Sequence, residues 1–319
     1  MKTKSTEQKK PASALTIGVV VPLLNEEDSI PDLVTQLDQV LQPLGPYELL
    51  LVDDGSTDSS IDVIKDLAGR RDNVRFISLT RNFGHQVALK TGLENCHSDI
   101  VISMDADLQH PPAEIPRMID AWRKGHMVVN MIRDARGNSL FKRATSSLFY
   151  KMINSISDFQ ITPGSSDFRL LDKSVVDLIR SMPEHCLFLR GFIPWLGFKQ
   201  VDLSYELAER KHGKRKYRLF KMLQLAVTGI ISSSIRPLRI AFVIGAVTSS
   251  IAVIYAIYAL IIRVFYDVAI TGWASLLIGM MLLGGVQLLM LGVIGEYVGR
   301  VFLEVKGRPD SVIAESNID

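Results

Sequence analysis

Two aspartates separated by one residue carry the clearest chemical signal in this sequence. Asp105 and Asp107 close the apolar run that begins at residue 99, and alternate residues of a strand point to the same face. Paired carboxylates offer the hard oxygen ligands that Mg²⁺ and Mn²⁺ prefer, and such a cation can bridge a substrate diphosphate. An isolated pair with this spacing is more often a solvated turn. We predict a metal site here because acidic residues also close neighbouring strands.

Two further polar clusters end apolar runs earlier in the chain. In DDGSTD, which follows the run LLLV, Gly55 permits a turn and Asp54 can accept a hydrogen bond from a base or a ribose hydroxyl. The first run closes with Asn25 and Glu26. Either cluster could also be an ordinary strand end followed by a helix N-cap. The sequence contains neither GxxxxGK[ST] nor GxGxxG, which argues against P-loop and dinucleotide chemistry.

The elements that must position these residues alternate along the chain. Short apolar runs of strand length are separated by amphipathic stretches with helical periodicity. This alternation predicts an α/β domain whose mostly parallel sheet is covered on both faces, with ligands bound beyond the carboxyl ends of the strands. The predicted strands are 15–25, 47–56, 74–80, 99–108 and 126–133, and the predicted helices are 29–41, 61–67, 85–94 and 115–124.

The overall composition indicates membrane segments. Apolar residues make up 47% of the 319 residues, and the mean hydropathy of +0.20 is high for a soluble protein. Charged residues still make up 22%, which excludes a chain embedded in the membrane throughout. The net charge of +2 gives no signature of a polyanion partner, so we expect no nucleic acid to bind. The two cysteines, Cys96 and Cys186, are too few for a disulfide framework and are expected to be reduced.

Two long stretches near the end of the chain contain no charged residue. Residues 240–262 are long enough to cross a hydrocarbon layer of roughly 30 Å as a helix. Residues 268–295 form a second such stretch after a short predicted turn at 263–267. The two stretches therefore predict a membrane hairpin, and the alternative is a pair of buried helices in a soluble protein. Basic residues flank the pair: Arg236, Arg239, Arg300, Lys306 and Arg308. The positive-inside bias predicts an integral membrane protein with both termini in the cytoplasm.

The remaining segments complete the predicted organisation. Residues 1–14 are polar and basic without the apolar core of a secretion signal, so we expect a disordered lead. Residues 140–156 and 219–236 are apolar on one side and basic or hydroxylated on the other, which favours helices in the membrane interface, although ordinary surface helices share this pattern. Glycines within 279–295 permit close helix packing inside the hairpin or between subunits of a homo-oligomer. The predicted divisions are a lead (1–14), a catalytic domain (15–218), an interfacial helix (219–236), a hairpin (237–300) and a cytoplasmic tail (301–319).

Taken together, the motifs resemble those of glycosyltransferase family 2 enzymes that use a polyprenyl phosphate acceptor, such as dolichyl-phosphate-mannose synthases and bactoprenol (undecaprenyl phosphate) glucosyltransferases. The matching segments are VVPLLNEE, LLVDDGSTD, SLTRNFGHQVAL, MDADLQHPP, FKRATSSLFY, SDFRLLD and GEYVGRVFLEVKGRP. The resemblance implies a GT-A-type fold and inverting, Mg²⁺- or Mn²⁺-dependent transfer of a hexose to the lipid phosphate. It also implies the bacterial inner or plasma membrane as the location, with the catalytic domain in the cytoplasm. UDP-glucose is the expected donor, with GDP-mannose, a UDP-aminopentose or a UDP-N-acetylhexosamine as alternatives.

The resemblance also implies roles for individual residues. It places Pro22, Asn25, Glu26, Asp54 and Asp105 in the nucleotide pocket, and Asp105, Asp107 and Gln109 at the metal. It implies catalytic roles for Asp105, Asp107, Arg133 and Asp167, and acceptor-phosphate contacts for Arg133, Arg143, Ser147, Arg169 and Lys216. Asp167 and Arg169 are expected in a loop that closes over the sugar.

Three positions leave alternatives open. Lys216 lies in a basic loop where Arg215 stands at a position that relatives usually give to serine, and this loop could bind the lipid phosphate or only anionic headgroups. His85 follows Gly84 at a predicted helix start, where a phosphate contact is one interpretation. His110 stands beside the metal motif and is expected to be structural.

Two other functional classes compete with this interpretation. A processive polysaccharide synthase is disfavoured because the sequence contains no QxxRW and two spans offer little material for a channel. A non-enzymatic nucleotide-sugar sensor or scaffold predicts a broken metal motif or missing acceptor cations, whereas both are intact. The chemistry suits a lipid phosphate, because a phosphomonoester with a second pKa near 6 is mostly a dianion at pH 7 and needs no general base.

Overall fold

The computed structural model describes residues 15–133, 164–182, 189–206, 234–266 and 272–318. These residues form two compact units: 15–133, 164–182, 189–206 and 309–318 make up the first, and 234–266 and 272–308 make up the second. The predicted lead (1–14), the predicted interfacial helix at 140–156 and nearly all of the one at 219–236 lie outside the described residues.

The first unit is built on one mostly parallel sheet of eight strands. The order across the sheet is β7-β5-β6-β4-β1-β2-β3-β8, with β6 and β8 antiparallel to their neighbours. The strands are β1 (Ile17–Leu23), β2 (Tyr47–Asp53), β3 (Val74–Leu79), β4 (Ile100–Ser103), β5 (Val128–Arg133), β6 (Ser165–Asp172), β7 (Gln200–Tyr205) and β8 (Ile313–Ser316). The helices are α1 (Ile30–Leu41), α2 (Ser60–Arg70), α3 (His85–Asn95), α4 (Ile115–Arg123), α5 (Lys173–Ser181) and α6 (Leu189–Trp195). The predicted α/β class with a GT-A-like, mostly parallel sheet is confirmed.

The sequence pattern accounts for the central elements. All seven residues of β1 (IGVVVPL) are buried, as expected for a strand covered by helices on both faces. Helix α1 buries Ile30, Leu33, Val34, Leu37 and Leu41, a stripe with helical spacing that faces the sheet. The apolar core has two parts, one under α1, α2 and α4 and the other under α3, α5 and α6.

Helix α3 lies unusually close to the sheet. A Cβ atom added at Gly92 would lie 2.4 Å from Val20 Cγ1 and 2.9 Å from Val52 Cγ2. Only glycine fits at this position without displacing a strand side chain. The close approach fixes the helix whose first turn reaches the predicted site. Cys96, just after α3, is a buried free thiol, as expected, and Cys186 lies outside the described residues.

The segment SSDFRLLD is a strand, so the predicted loop over the sugar is wrong for Asp167 and Arg169. Both side chains lie in β6, which is inserted antiparallel between β4 and β5. The register pairs Arg169 with Ser103 and with Asn130, far away in sequence. Local pattern alone did not indicate a strand because its alternate positions bury charged side chains on one face and apolar side chains on the other.

Residues 309–318 return to the first unit after the second one. Strand β8 pairs with β3, where Ile77 faces Ser316, and the Thr80 N–H donates to the Val312 carbonyl at 2.9 Å. The Asn317 side chain accepts from the Phe76 N–H at 2.7 Å. We call residues 309–318 the docked tail. The sequence pattern predicts a tail at 301–319 but no strand within it.

The second unit contains two long apolar helices, α7 (Arg236–Tyr266) and α8 (Trp273–Val305). Windows at Arg236–Ala259 and Gly279–Val305 have mean hydropathies of 2.3 and 1.7 and none of their residues buried, so each is long and apolar enough to cross a membrane. The predicted turn at 263–267 is wrong in part, because α7 continues to Tyr266; one charged residue does not end a helix.

Candidate active site

The predicted site residues gather at one edge of the sheet. Strands β4, β1 and β2 are parallel neighbours, so their carboxyl ends meet at the same edge. Asp105 follows β4, Asn25 follows β1 and Asp54 follows β2. Antiparallel β6 begins at this edge, since Ser165 pairs with Ile132 near the end of β5. The topology therefore brings together groups that are far apart in sequence.

Asn25 and Glu26 tie the first loop to the second. The Asn25 N–H donates to Ser56 Oγ at 2.9 Å, and Asn25 Oδ1 accepts from the Thr57 N–H at 2.8 Å. Asn25 has a φ of 57°, a left-handed conformation that asparagine tolerates better than most residues. The Glu26 carboxylate accepts from Ser29 Oγ at 2.7 Å. Both residues shape the edge beside Pro22, which lies in β1 opposite Val52.

Asp54 holds the loop that precedes α3. Its carboxylate is buried and accepts from the Phe83 N–H at 2.7 Å and from the Gly84 N–H at 3.0 Å. Burial raises the pKa of Asp54, and the two backbone hydrogen bonds oppose that rise. Gly84, with φ of 104°, suits this bend because it carries no side chain. Asp54 therefore sets the position at which α3 begins.

The turn that carries the two aspartates is compact and strained. The Gln109 N–H donates to Asp107 Oδ1 at 3.1 Å, and Leu108 has a φ of 60°, which is uncommon for a residue of its size. Asp105 Oδ1 is buried and accepts no hydrogen bond from the described residues. His85 Nε2 lies 3.4 Å from this oxygen without a hydrogen bond, and a divalent ion would supply the closer partner that a buried carboxylate oxygen needs.

Asp167 is the centre of a buried ion cluster. Arg190 Nε and Nη2 donate to its two oxygens at 3.0 and 2.8 Å, a bidentate contact. Gln86 Nε2 donates at 2.9 Å, and Arg169 Nη2 lies 3.5 Å from Oδ1. Burial alone would raise the pKa of Asp167, but Arg190, His85 and Arg169 hold it well below its usual range. Both oxygens are occupied, so Asp167 positions its neighbours and is poorly placed to act as a base.

His85 connects this cluster to the aspartate turn. Its Nε2 lies 3.2 Å from Asp167 Oδ2 and 3.4 Å from Asp105 Oδ1. Burial would lower the pKa of His85, but the hydrogen bond to Asp167 and the charges of both aspartates raise it. The N-terminal turn of α3 therefore places an imidazole between the two halves of the site.

Arginines extend the site toward β5. Arg133 ends β5, and its Nε is buried without a hydrogen-bond partner among the described residues. Arg169 is buried in β6, and burial lowers the pKa of its guanidinium. A polar pocket of about 270 Å³ opens beside the Asp167 cluster and is lined by Asn130, Ser165, Arg169, Arg190, Asp202 and Gln200, among others. Arg143, Ser147 and Lys216 lie outside the described residues.

Sequence reasoning missed the roles of Arg190 and Gln86. Both contact Asp167, but each reaches it from another element, α6 or α3. Gln86 lies in the matched segment SLTRNFGHQVAL, but nothing in that segment indicated a contact with Asp167. A basic residue in the apolar segment LFLRGFIPW was the only available signal for Arg190.

Comparison with known proteins agrees with this geometry. The profile of glycosyl transferase family 2 matches residues 18–180, and the profile described as GtrB C-terminal hairpin matches residues 236–301. The SfII prophage-derived bactoprenol glucosyl transferase of Shigella flexneri is 39% identical over 306 residues, which cover 95% of this chain and 99% of that protein. A prophage bactoprenol glucosyl transferase homolog of Escherichia coli K12 is 38% identical, with 94% and 98% covered. The uncharacterized glycosyltransferase YkcC of Bacillus subtilis is 39% identical, with 94% and 93% covered.

The family match includes Asn25, Asp54, Asp105 and Asp167, and the hairpin match covers most of α7 and α8. The relatives match along nearly their whole length, so the similarity is not confined to one motif. The chain is a glycosyltransferase that belongs to glycosyl transferase family 2 and carries a GtrB-type C-terminal hairpin.

Proposed function

We propose that this glycosyltransferase moves glucose from UDP-glucose to a polyprenyl phosphate such as undecaprenyl phosphate, with inversion at the anomeric carbon. The observation that carries the proposal is the site edge itself, where a carboxylate turn faces a cluster of arginines across His85. The carboxylates suit a cation-bound diphosphate, and the arginines suit a second anion. The names of relatives that are bactoprenol glucosyl transferases support glucose and this lipid.

Asp105 and Asp107, with Gln109 beside them, are the residues that would hold Mg²⁺ or Mn²⁺. The fit rests on the buried Asp105 Oδ1, which accepts no hydrogen bond from the described residues. Within the described ranges no group of three or more His, Cys, Asp or Glu side chains is arranged to hold a metal ion. Phosphate oxygens of the donor would complete the coordination that the two carboxylates begin. When bound, the cation neutralises the negative charge that develops on the leaving diphosphate.

In this proposal the chain's own residues stabilise the negative charges of donor and acceptor, and none of them removes a proton from the acceptor. A phosphomonoester is already mostly dianionic at pH 7, which agrees with an Asp167 whose oxygens are both engaged. Arg133 and Arg169 lie toward β5, where cations are needed to let two anions approach. Asp167 would keep Arg190 and His85 in place through the reaction. We assign the remaining acceptor contacts to Arg143, Ser147 and Lys216 on the basis of the sequence alone.

The docked tail supports a membrane hairpin with both flanking segments on the same side. Strand β8 follows α7 and α8 in the chain but pairs with β3, which precedes them. A folded unit lies on one side of a membrane, so the helices between its parts must cross an even number of times. The flanking Arg236, Arg239, Arg300, Lys306 and Arg308 favour the cytoplasmic side for that unit, where nucleotide sugars are available.

A transfer assay with the purified full chain in detergent tests this proposal. Undecaprenyl phosphate is offered with labelled UDP-glucose, GDP-mannose, a UDP-aminopentose or UDP-N-acetylglucosamine, each with Mn²⁺, with Mg²⁺ or with a chelator. We expect glucosyl lipid only with UDP-glucose and a divalent ion, and loss of most transfer in Asp107→Asn without loss of folding. Efficient transfer of another sugar would replace the donor assignment. Full turnover in the chelator would refute the metal role.

A further inference from the structure

His110 is buried directly beneath the aspartate turn. Its side chain is fully enclosed, and Nδ1 accepts a hydrogen bond from the Asp105 backbone N–H at 2.9 Å. Nε2 lies 3.5 Å from Asp105 Oδ2. A ring nitrogen that accepts a hydrogen bond carries no proton, so this geometry requires the Nε2–H tautomer. The side chain thus contacts Asp105 through both its backbone and its carboxylate.

The imidazole is held by strands other than the one that carries the aspartates. It stacks on Phe168 with a centroid separation of 5.0 Å and an interplanar angle of 13°. Tyr205 meets it edge-on at 6.1 Å. Phe168 lies in β6 and Tyr205 ends β7, and both are buried. The position of His110 is therefore set by the sheet and not by the turn itself.

The turn needs an external anchor. Leu108 adopts a left-handed φ of 60°, and β4 ends at Ser103, so no ladder hydrogen bond fixes residues 105–109. Strained backbone persists only where its surroundings hold it. Within the turn, the Gln109 N–H donates to Asp107 Oδ1 at 3.1 Å, a bond that joins two residues of the turn and does not reach the sheet. The side chains of Ala106 and Leu108 are buried in the core, and the hydrogen bond to His110 ties the backbone of Asp105 itself to the sheet.

We propose that His110 is a positioning residue: its Nδ1 fixes the backbone of Asp105 so that the Asp105 and Asp107 carboxylates point toward the ligand. The proposal rests on the proposed function only for the role of these two carboxylates as metal ligands. It adds a specific atomic requirement, a hydrogen-bond acceptor at the Nδ1 position.

Two variants separate this requirement from packing. His110→Phe keeps an aromatic ring against Phe168 but has no acceptor. His110→Asn loses the ring but places its side-chain oxygen near the position of Nδ1. If the acceptor matters, the His110→Asn variant binds metal more tightly than the His110→Phe variant. If only packing matters, the His110→Phe variant binds metal more tightly.

The readout is Mn²⁺ binding to the full chain in detergent with UDP present, measured from the electron paramagnetic resonance signal of free Mn²⁺. We expect His110→Phe to weaken Mn²⁺ binding about tenfold or more, because it leaves the buried Asp105 N–H without an acceptor. We expect His110→Asn to recover most of that loss. Equal binding by wild type and His110→Phe, or weaker binding by Asn than by Phe, would overturn the inference. Wild type that binds no Mn²⁺ would instead refute the proposed metal site.

A measurement on the wild-type chain covers the case in which a variant does not fold. With ¹⁵N-labelled aspartate and histidine, nuclear magnetic resonance should detect coupling across the hydrogen bond between the Asp105 amide and a histidine nitrogen. The coupled ring should be the neutral Nε2–H tautomer. A neutral ring protonated at Nδ1, or no coupling to Asp105, would contradict the proposal.

Discussion

The ion pair between Lys90 and Asp310 joins the docked tail to α3, and Asp310→Asn tests how much that attachment stabilises the catalytic unit. Lys90 Nζ lies 2.6 Å from Asp310 Oδ2, and the two side chains are only 8% and 15% exposed. Glu94 is a second carboxylate near Lys90, at 3.7 Å. The substitution keeps the shape of the side chain and removes its charge.

The magnitude follows from burial. Removing one partner of a buried ion pair typically costs about 3–5 kcal/mol. Glu94 remains and retains part of the interaction with Lys90, so we expect a loss of about 1.5–3 kcal/mol, as for a hydrogen bond to a charged group. In a unit of this size each kcal/mol lowers the melting temperature by about 2–4 °C.

A matched control lies in the same tail. Lys65 and Glu315 also meet at 2.6 Å, but their side chains are 39% and 54% exposed. Exposed pairs contribute about 0–1 kcal/mol, so Glu315→Gln should change the melting temperature little. Thermal unfolding of the full chain in detergent gives both values, and hydrogen exchange of the β3 amides reports release of β8. Equal effects of the two substitutions would refute the reasoning from burial.

Three further predictions follow from the packing, the loops and the tail. Gly92→Ala should destabilise the chain by about 1–3 kcal/mol in thermal unfolding, because the added Cβ would lie 2.4 Å from Val20 Cγ1. The control is Gly69→Ala in α2, whose added Cβ meets nothing within 4 Å and should not destabilise the chain. Asp54→Asn should weaken UDP binding, measured by calorimetry, because the loop before α3 loses a charged acceptor for the Phe83 and Gly84 N–H groups. Unchanged affinity for UDP would show that Asp54 does not belong to the nucleotide site. A reporter fused after residue 318 should behave as cytoplasmic and one inserted near residue 269 as translocated, and the reverse pattern would overturn the proposed orientation.

The parts of the fold that could be predicted are those with local causes. The buried run in β1 and the apolar stripe of α1 can each be recognised from about a dozen consecutive residues. Asp105 and Asp107 could be assigned to one edge with Asn25 and Asp54 because parallel strands share a direction. That inference needed no knowledge of which strands are neighbours.

The parts that could not be predicted depend on distant partners. Asp167 lies in a strand because β6 pairs with both β4 and β5. The residues of SSDFRLLD do not indicate these distant pairing partners. Arg190 becomes part of the site only once α6 packs against β6. His110 was expected to be structural, but the atom that it supports is visible only in three dimensions.

The docked tail also has a consequence for biosynthesis. The Phe76 N–H bonds to an asparagine 241 positions later in the chain, so the ribosome makes the partner of β3 only after both apolar helices have been synthesised. Until then β3 is an open edge, a template on which other extended chains can assemble. Closure of that edge therefore reports that translation has passed the hairpin. A chain that stops within the hairpin would leave the edge open, which gives cellular quality control a surface by which to recognise incomplete molecules.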